Sequence, residues 1–328
     1  MSGVEQIKVE PGESGMRLDR WFKIHYPGLG FGHLQKLLRS GQVRVDGGRA
    51  KADTRIEPGQ MVRVPPLGVD RKGDQPLTAR TIRNQGDGDV LSKMILYEDP
   101  AVFVFNKPSG LAVQGGSGVS RHVDDMLEAF RNKKGEKPRL VHRLDRDTSG
   151  ALVVARSRLA AMKLAESFRG RDARKTYWAL VKGVPKKHED RISTWLVKEQ
   201  TFDGDRMRVA KHGEDGADHA ISHYRVVEQA GQRMSWLEME PHTGRTHQLR
   251  VHAAHIGCPI IGDPKYFEAD QNWDFPGGLQ NRLHLHARRI VIPNPNGGMI
   301  DVTAPLPPHM RQSWNLLGFD EQSAEEDK

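Results

Sequence analysis

Between Pro66 and Ser92 the chain runs through a polar stretch rich in Gly, Asp and Arg, where apolar residues recur at neither a helical nor a strand period. Such a stretch supplies no continuous hydrophobic face. It divides the chain, so the segments on either side must each close a core of their own. Length points the same way, because 328 residues exceed what one ordinary core takes in. The division predicts an N-terminal extension over 1–15, a small unit over 16–66, a linker over 67–92 and a large unit over 93–318. An acidic tail over 319–328 is expected to fray.

The small unit reads as α+β. Leu18, Trp21, Phe22 and His25 recur at helical spacing, so a helix is expected from Arg17 to about Tyr26, ended by Pro27 and Gly28. Leu34, Leu37 and Leu38 mark a second helix, with Gly41 where a C-terminal cap belongs. Val43 to Val45 alternates like a strand, Asp46-Gly47-Gly48 signals a hairpin turn, and Met61 to Val64 is a further strand. Lys36, Arg39, Arg44, Arg49, Lys51 and Arg55 fall in this short stretch and are candidates for one phosphate-binding face.

The large unit mixes apolar strand-like runs (101–105, 151–155, 178–181) with few helices, expected at 120–131 and 157–169. The predicted class is α+β, with a large, mainly antiparallel mixed sheet. No apolar run approaches the ~20 residues of a membrane helix, and the first ten residues lack a signal-peptide core. A single cysteine, Cys258, rules out an internal disulfide and a cysteine-rich zinc site. These features are those expected of a cytoplasmic protein. The net charge of +8 favours a polyanionic partner, nucleic acid first.

Four segments carry the candidate chemistry. The densest is Val141-His142-Arg143-Leu144-Asp145-Arg146-Asp147-Thr148-Ser149-Gly150, a polar loop directly before an apolar strand. The others are Thr243 to His252 continuing through Gly257 to Tyr266, then Lys175 to Leu180, and Asn106 to Val113. On spacing alone the first is equally a turn whose acids cap backbone groups, and Tyr177 reads as a core tyrosine. Arg143 stands two residues before Asp145, so in a strand-like segment both share a face. Arg143 is then placed to meet a phosphate.

Together these segments, in this order and spacing, closely resemble the RluA family of pseudouridine synthases from about Ile95 to Leu306. Ile95 to Asp99 and Ala112 to Gly118 resemble its RluC-type branch, which acts on large-subunit (23S) ribosomal RNA. Arg17-Leu18-Asp19-Arg20, Leu37 to Gly47 and Ile56 to Gln60 resemble an S4-like (alpha-L) RNA-binding domain, with Gly32 where that family often starts its second helix with Ser. The resemblance implies isomerisation of uridine to pseudouridine without cofactor or metal, by a monomer. The glycosidic bond breaks, the base turns and rejoins through carbon, so nothing is oxidised and no group is imported. It implies Asp145 as the catalytic carboxylate, acting on ribose or base or removing a proton, with Arg250 as its cationic partner. It implies Tyr177 against a flipped base, with Leu249 beneath and Arg143 placed to fill the gap that the base leaves. His142, Arg143, Leu249, Lys107 and Arg245 are the expected substrate contacts, Lys107 and Arg245 reading equally as structural ion-pair formers.

Three other readings compete. His242, His247, His252 and His255 with the His284-x-His286 pair suggest a metalloenzyme, though no acid stands at metal-motif spacing. The chain also reads as a non-catalytic ribosome-assembly factor. Transfer RNA is the alternative substrate.

Overall fold

The computed structural model describes residues 4–10, 13–26, 28–69, 77–116, 119, 121–132, 135–201, 204–267 and 277–326. Pro27, expected to end the first helix, lies outside them, as do Ser117 and Gly118. The chain divides into two compact units, Met1–Asn84 and Gln85–Lys328.

The first unit contains β1 (Glu5–Lys8), β2 (Met16–Arg17), α1 (Leu18–His25), α2 (Phe31–Arg39), β3 (Arg44–Val45), β4 (Gly48–Arg49), β5 (Arg55–Ile56) and β6 (Met61–Val64). A four-stranded sheet runs β1-β6-β3-β4, and β2 pairs with β5. Leu18, Trp21 and Phe22 of α1 meet Leu34, Leu37 and Leu38 of α2 in one core. That is the burial the helical spacing demands. Asp46 (φ 50°) and Gly47 (φ 78°) close β3 onto β4 with both residues left-handed, as a two-residue hairpin turn requires. Helix α2 begins one residue after Gly30, so Gly32 lies inside its first turn rather than at the cap. Residues 5–9 are no mere extension. β1 pairs with β6, and Ile7 and Val9 join the core.

Helix α3 (Leu77–Lys93) occupies most of the stretch expected to be an irregular linker. Its sequence hides it: Gly86 and Gly88 lower its intrinsic propensity, and burial of Leu91 supplies what periodicity does not.

The second unit continues with β7 (Ile95–Glu98), β8 (Val102–Lys107), α4 (Val123–Met126), a 3-10 turn (Leu127–Phe130), β9 (Arg139–Leu140), β10 (Ser149–Ala155), α5 (Arg158–Gly170) and β11 (Arg174–Lys182). There follow β12 (Glu189–Thr201), β13 (Gly204–Ala210), β14 (Asp218–Ala230), β15 (Met234–Pro241), α6 (Gln248–His255), β16 (Leu285–Pro293), β17 (Met299–Thr303), α7 (Pro308–Leu317) and α8 (Ser323–Glu326). The strands form one eleven-stranded sheet of order β13-β12-β14-β15-β11-β16-β10-β8-β7, with β17 on β16 and β9 on β10. All pairings but β10–β16 are antiparallel.

Both faces of the sheet centre are covered. Along β10, Ala151, Val153 and Ala155 pack toward α5, while Leu152 and Val154 pack toward α4 and Leu91. Along β11, Ala179 and Val181 face α6, while Trp178 and Leu180 face α7. The strict period of two thus feeds two cores at once, so these strands read as continuous apolar runs. The tail expected to fray is docked through residue 324: Phe319 and Ala324 are buried, Arg288 pairs with Glu321 at 3.1 Å, and Arg225 donates to the Ala324 carbonyl at 2.6 Å. Among the described residues no helix is long and apolar enough to cross a membrane.

Candidate active site

Asp145 sits in the loop from β9 to β10, its side chain one-fifth exposed. Gly150 sets where this loop joins the sheet. At φ 109° it lies on β16, and a Cβ there would overlap the Ala287 carbonyl. Only glycine permits so close an approach of two strands. Ser149 beside it is tied to His286 by Oγ–Nδ1 contact at 2.8 Å.

The loop is held from below by Lys107, at the end of β8. Its ammonium is fully buried and donates to the carbonyls of Pro108 (3.0 Å), Leu111 (2.8 Å) and Arg146 (2.9 Å). Three N–H bonds meet three acceptors, and the third acceptor is the residue after Asp145. Burial pulls the lysine down to about 7 against the opposing charges of Asp147 and Asp145. Lys107 is therefore neither a phosphate contact nor a partner in a direct ion pair. It is a backbone clamp.

His142, expected near substrate, is also spent on the frame. Its Nε2 accepts from Val153 N–H at 2.8 Å, and its ring stacks on Phe168 at 4.6 Å. Burial, with the Lys175 charge, pulls it down to about 3, so it is neutral at physiological pH. Arg143 is exposed and, among the described residues, carries no hydrogen bond or ion pair. Residues 141–148 form no strand, so strand alternation does not put Arg143 and Asp145 on one face.

Arg250, on α6, approaches Asp145 with Nη1 3.5 Å from Oδ2. Its other edge grips Asp263 in a fork, Nε to Oδ2 at 2.7 Å and Nη2 to Oδ1 at 2.6 Å. Burial opposes the charge of Arg250, but the Asp263 bonds outweigh it and raise its proton affinity, with Asp145 adding to the effect. One guanidinium thus has a fixed carboxylate behind it and a looser one in front. Sequence reasoning missed Asp263, which stands alone between Gly262 and Pro264. Its nearest legible sign is Gly262 (φ 70°), where a Cβ would strike the Arg282 carbonyl.

Tyr177 lies on β11 at a register shift between Thr176 and Tyr177. It is half-buried beside the core that contains Leu249. Burial, with the Asp145 charge, pushes its hydroxyl up, so it remains protonated. Leu249, next to Arg250, is buried. Gln248 organises the preceding turn: its Oε1 accepts from Thr243 Oγ1 (2.6 Å) and Arg245 N–H (3.1 Å), and its Nε2 donates to the Ile221 carbonyl (2.8 Å). Arg245 is exposed on that turn, donating to the His219 carbonyl at 3.2 Å and lying 3.4 Å from Asp218. His247 also borders the site, with Nε2 3.9 Å from Asp145 Oδ2.

The histidines read as metal ligands are largely committed elsewhere. His252 contacts Thr194 and Ser222, His284 contacts Arg282 and Ser313, and His286 contacts Ser149 and Ala304. Among the described residues, no three His, Cys, Asp or Glu side chains converge on one point.

In the first unit the basic residues are spread over one helix, several strands and a loop. Lys36 and Arg39 are exposed on α2, and Lys51 and Arg55 lie on and before β5, across from Arg17 of β2. Arg44 of β3 faces Arg49 of β4 on one side and Arg63 of β6 on the other. Directly paired residues of antiparallel strands share a face, so three arginines stand in a row. Arg63 was not among the sequence candidates.

Residues 101–255 match a family described as RNA pseudouridylate synthase. The chain is 36% identical over 298 residues to ribosomal large subunit pseudouridine synthase C of Haemophilus influenzae, covering 90% of this chain and 89% of the relative. The Escherichia coli protein of the same name is 34% identical, covering 96% and 97%. The mitochondrial RNA pseudouridine synthase 4 of Arabidopsis thaliana is 34% identical, covering 97% and 82%. Among solved structures, human RNA pseudouridylate synthase domain containing 4 superposes with a TM-score of 0.61 at 28% identity, covering 74% of this chain and 98% of that one.

Proposed function

The chain belongs to the RNA pseudouridine synthase family, and on that premise we propose that it isomerises specific uridines of large-subunit ribosomal RNA, with Asp145 as the catalytic carboxylate. The observation that carries the reading is the Asp145–Arg250 approach, backed by the Arg250–Asp263 fork. A guanidinium fixed from behind favours the ionised form of the acid in front of it and fixes its direction. The uracil leaves its stack and is received between Tyr177 and Leu249, where stacking and apolar contact replace what the helix provided. The C1′–N1 bond breaks and C1′–C5 forms. C5 gives up a proton and N1 gains one, so the reaction balances without a cofactor. The protonated Tyr177 hydroxyl is suited to exchange that proton.

Arg143 and Arg245, both exposed, serve as phosphate contacts. Lys36, Arg39, Arg44, Arg49, Lys51 and Arg55 form the basic surface of the small RNA-binding unit, with Arg63 added. Like charges directly opposite each other destabilise a sheet, and a polyanion relieves that repulsion. The ribosomal substrate rests on the similarity to the bacterial ribosomal large subunit pseudouridine synthases C. The chain works as a cytoplasmic monomer, for which sedimentation with and without RNA is the check.

The test incubates wild type and Asp145→Asn with unmodified large-subunit ribosomal RNA and maps pseudouridine by carbodiimide labelling and primer extension. Stops at a few uridines with wild type and none with the variant are expected. Stops from both would remove Asp145 from the chemistry, and stops only on transfer RNA would change the substrate.

A further inference from the structure

His247 occupies the N-cap of α6 with φ 53° and makes no capping bond with its side chain. It is one of three described non-glycine residues with positive φ. Asp46 is in a hairpin turn and Arg171 follows the last residue of α5, both common settings for this conformation. His247 has no such setting, and the left-handed conformation is unfavourable for a residue with a Cβ. What the conformation achieves is the aim of the ring, between Tyr266 and Asp145.

Hydrogen bonding determines which ring nitrogen carries the proton. Met207 N–H donates to the Tyr266 hydroxyl oxygen at 2.8 Å. The same hydroxyl lies 2.8 Å from His247 Nδ1 and meets it as the donor when the ring proton is on Nε2. A neutral ring that accepts at Nδ1 must carry its proton on Nε2, and Nε2 is the atom that lies 3.9 Å from Asp145 Oδ2. Arg250 Nη1 approaches that same oxygen. Tyr266 is itself fixed, since its backbone N–H donates to Asp263 at 3.2 Å and the Arg250 guanidinium lies 5.0 Å from the centre of its ring. The contacts close a circuit: Asp145, Arg250, Asp263, Tyr266, His247 and back to Asp145.

We infer that His247 is a positioning residue for the reaction: its Nε2–H, set by the Tyr266 hydroxyl, joins Arg250 in holding one oxygen of Asp145 when RNA closes the site. The contact is too long to be a hydrogen bond in the free protein and shortens on substrate binding, as such contacts commonly do. This rests on the assignment of Asp145 as the catalytic carboxylate.

Three variants test it under single turnover with saturating RNA: His247→Ala, His247→Gln and Tyr266→Phe, with Asp145→Asn as control. His247→Ala is expected to lower the rate of isomerisation about tenfold to a hundredfold, the range for removing one hydrogen bond to a charged group, with RNA affinity changed less than twofold. His247→Gln returns an N–H donor at similar reach and is expected to recover most of the loss. Tyr266→Phe, which frees the tautomer, should fall between wild type and His247→Ala. Melting temperatures separate folding from chemistry, and the glutamine and phenylalanine variants stand if the alanine variant fails to fold. Equal rates for wild type and His247→Ala, or equal losses for the alanine and glutamine variants with both folded, would overturn the inference. Turnover by Asp145→Asn would instead overturn the assignment of Asp145.

Discussion

The two units use their basic side chains in opposite ways. In the small unit Arg44, Arg49 and Arg63 line up across three strands with no carboxylate bonded to them among the described residues. In the large unit three basic groups near Asp145 turn inward: Lys107 onto three carbonyls, His142 onto a strand N–H and Arg250 onto Asp263. The same residue types mark a surface for a polyanion in one place and an internal frame in the other. Burial and partner, not charge, separate the two uses. A positive net charge speaks only for the first.

That contrast can be broken by acid. Burial pulls His142 and His286 to about 3 and His252 and His284 to about 4, against an ordinary 6.5. A folded state with depressed values binds protons later than the unfolded chain. Stability therefore is full above about pH 6.5 and falls as the pH drops toward 4. Each ring contributes a slope of about 1.4 kcal/mol per pH unit within that window. Calorimetry across pH 7 to 4.5 is expected to show the large unit melting early, with proton uptake of about four near pH 5. Uptake near zero would mean that these rings are open to solvent in the folded state.

Lys107→Met comes next in size. It keeps the bulk of the stem but leaves three carbonyls without their donor, at a cost of about 3 kcal/mol. Denaturant titration should record that loss, together with a fall in turnover as the Asp145 loop loosens. An unchanged midpoint would mean water takes over the ammonium's role.

The small unit should respond the other way. Replacing Arg44, Arg49 and Arg63 together by Ala should weaken RNA binding and lower the slope of log affinity against log salt by about 3. Stability is expected to move by under about 1 kcal/mol, because relieved repulsion offsets the lost bonds of Arg44 to Gly41 and Gly47 and of Arg63 to Gln42. A salt slope left intact would place the RNA elsewhere.

What could be read from the sequence was what is local. Apolar runs located β8, β10 and β11 because those strands are buried on both faces, and helical spacing located α1 because one of its faces is buried. The Asp46-Gly47 turn declared itself through residue type. Helices α3 and α6 lacked a local signature: α6 is buried around most of its girth, so its apolar and polar residues show no stripe. The partners of Lys107 and His142 were equally hidden, since a charged or ring nitrogen carries no mark of what it will face. Arg63 needed the register of β3 against β6. Asp263 needed the fold to bring it to Arg250.

The pairing of β10 with β16 has a consequence for how the protein comes into being. Ser149 and His286, which meet at 2.8 Å, are separated by 137 positions, and Gly150, paired with Lys107 of β8 on one side, meets Ala287 of β16 on the other. Contacts between such distant segments form slowly, since loop closure must come first. During synthesis β16 follows β10 and β11, yet in the sheet it lies between them, so the Asp145 loop and Tyr177 are made before the strand that joins their two halves of the sheet. The sheet becomes continuous around the site only when residues 285–293 take their place between β11 and β10.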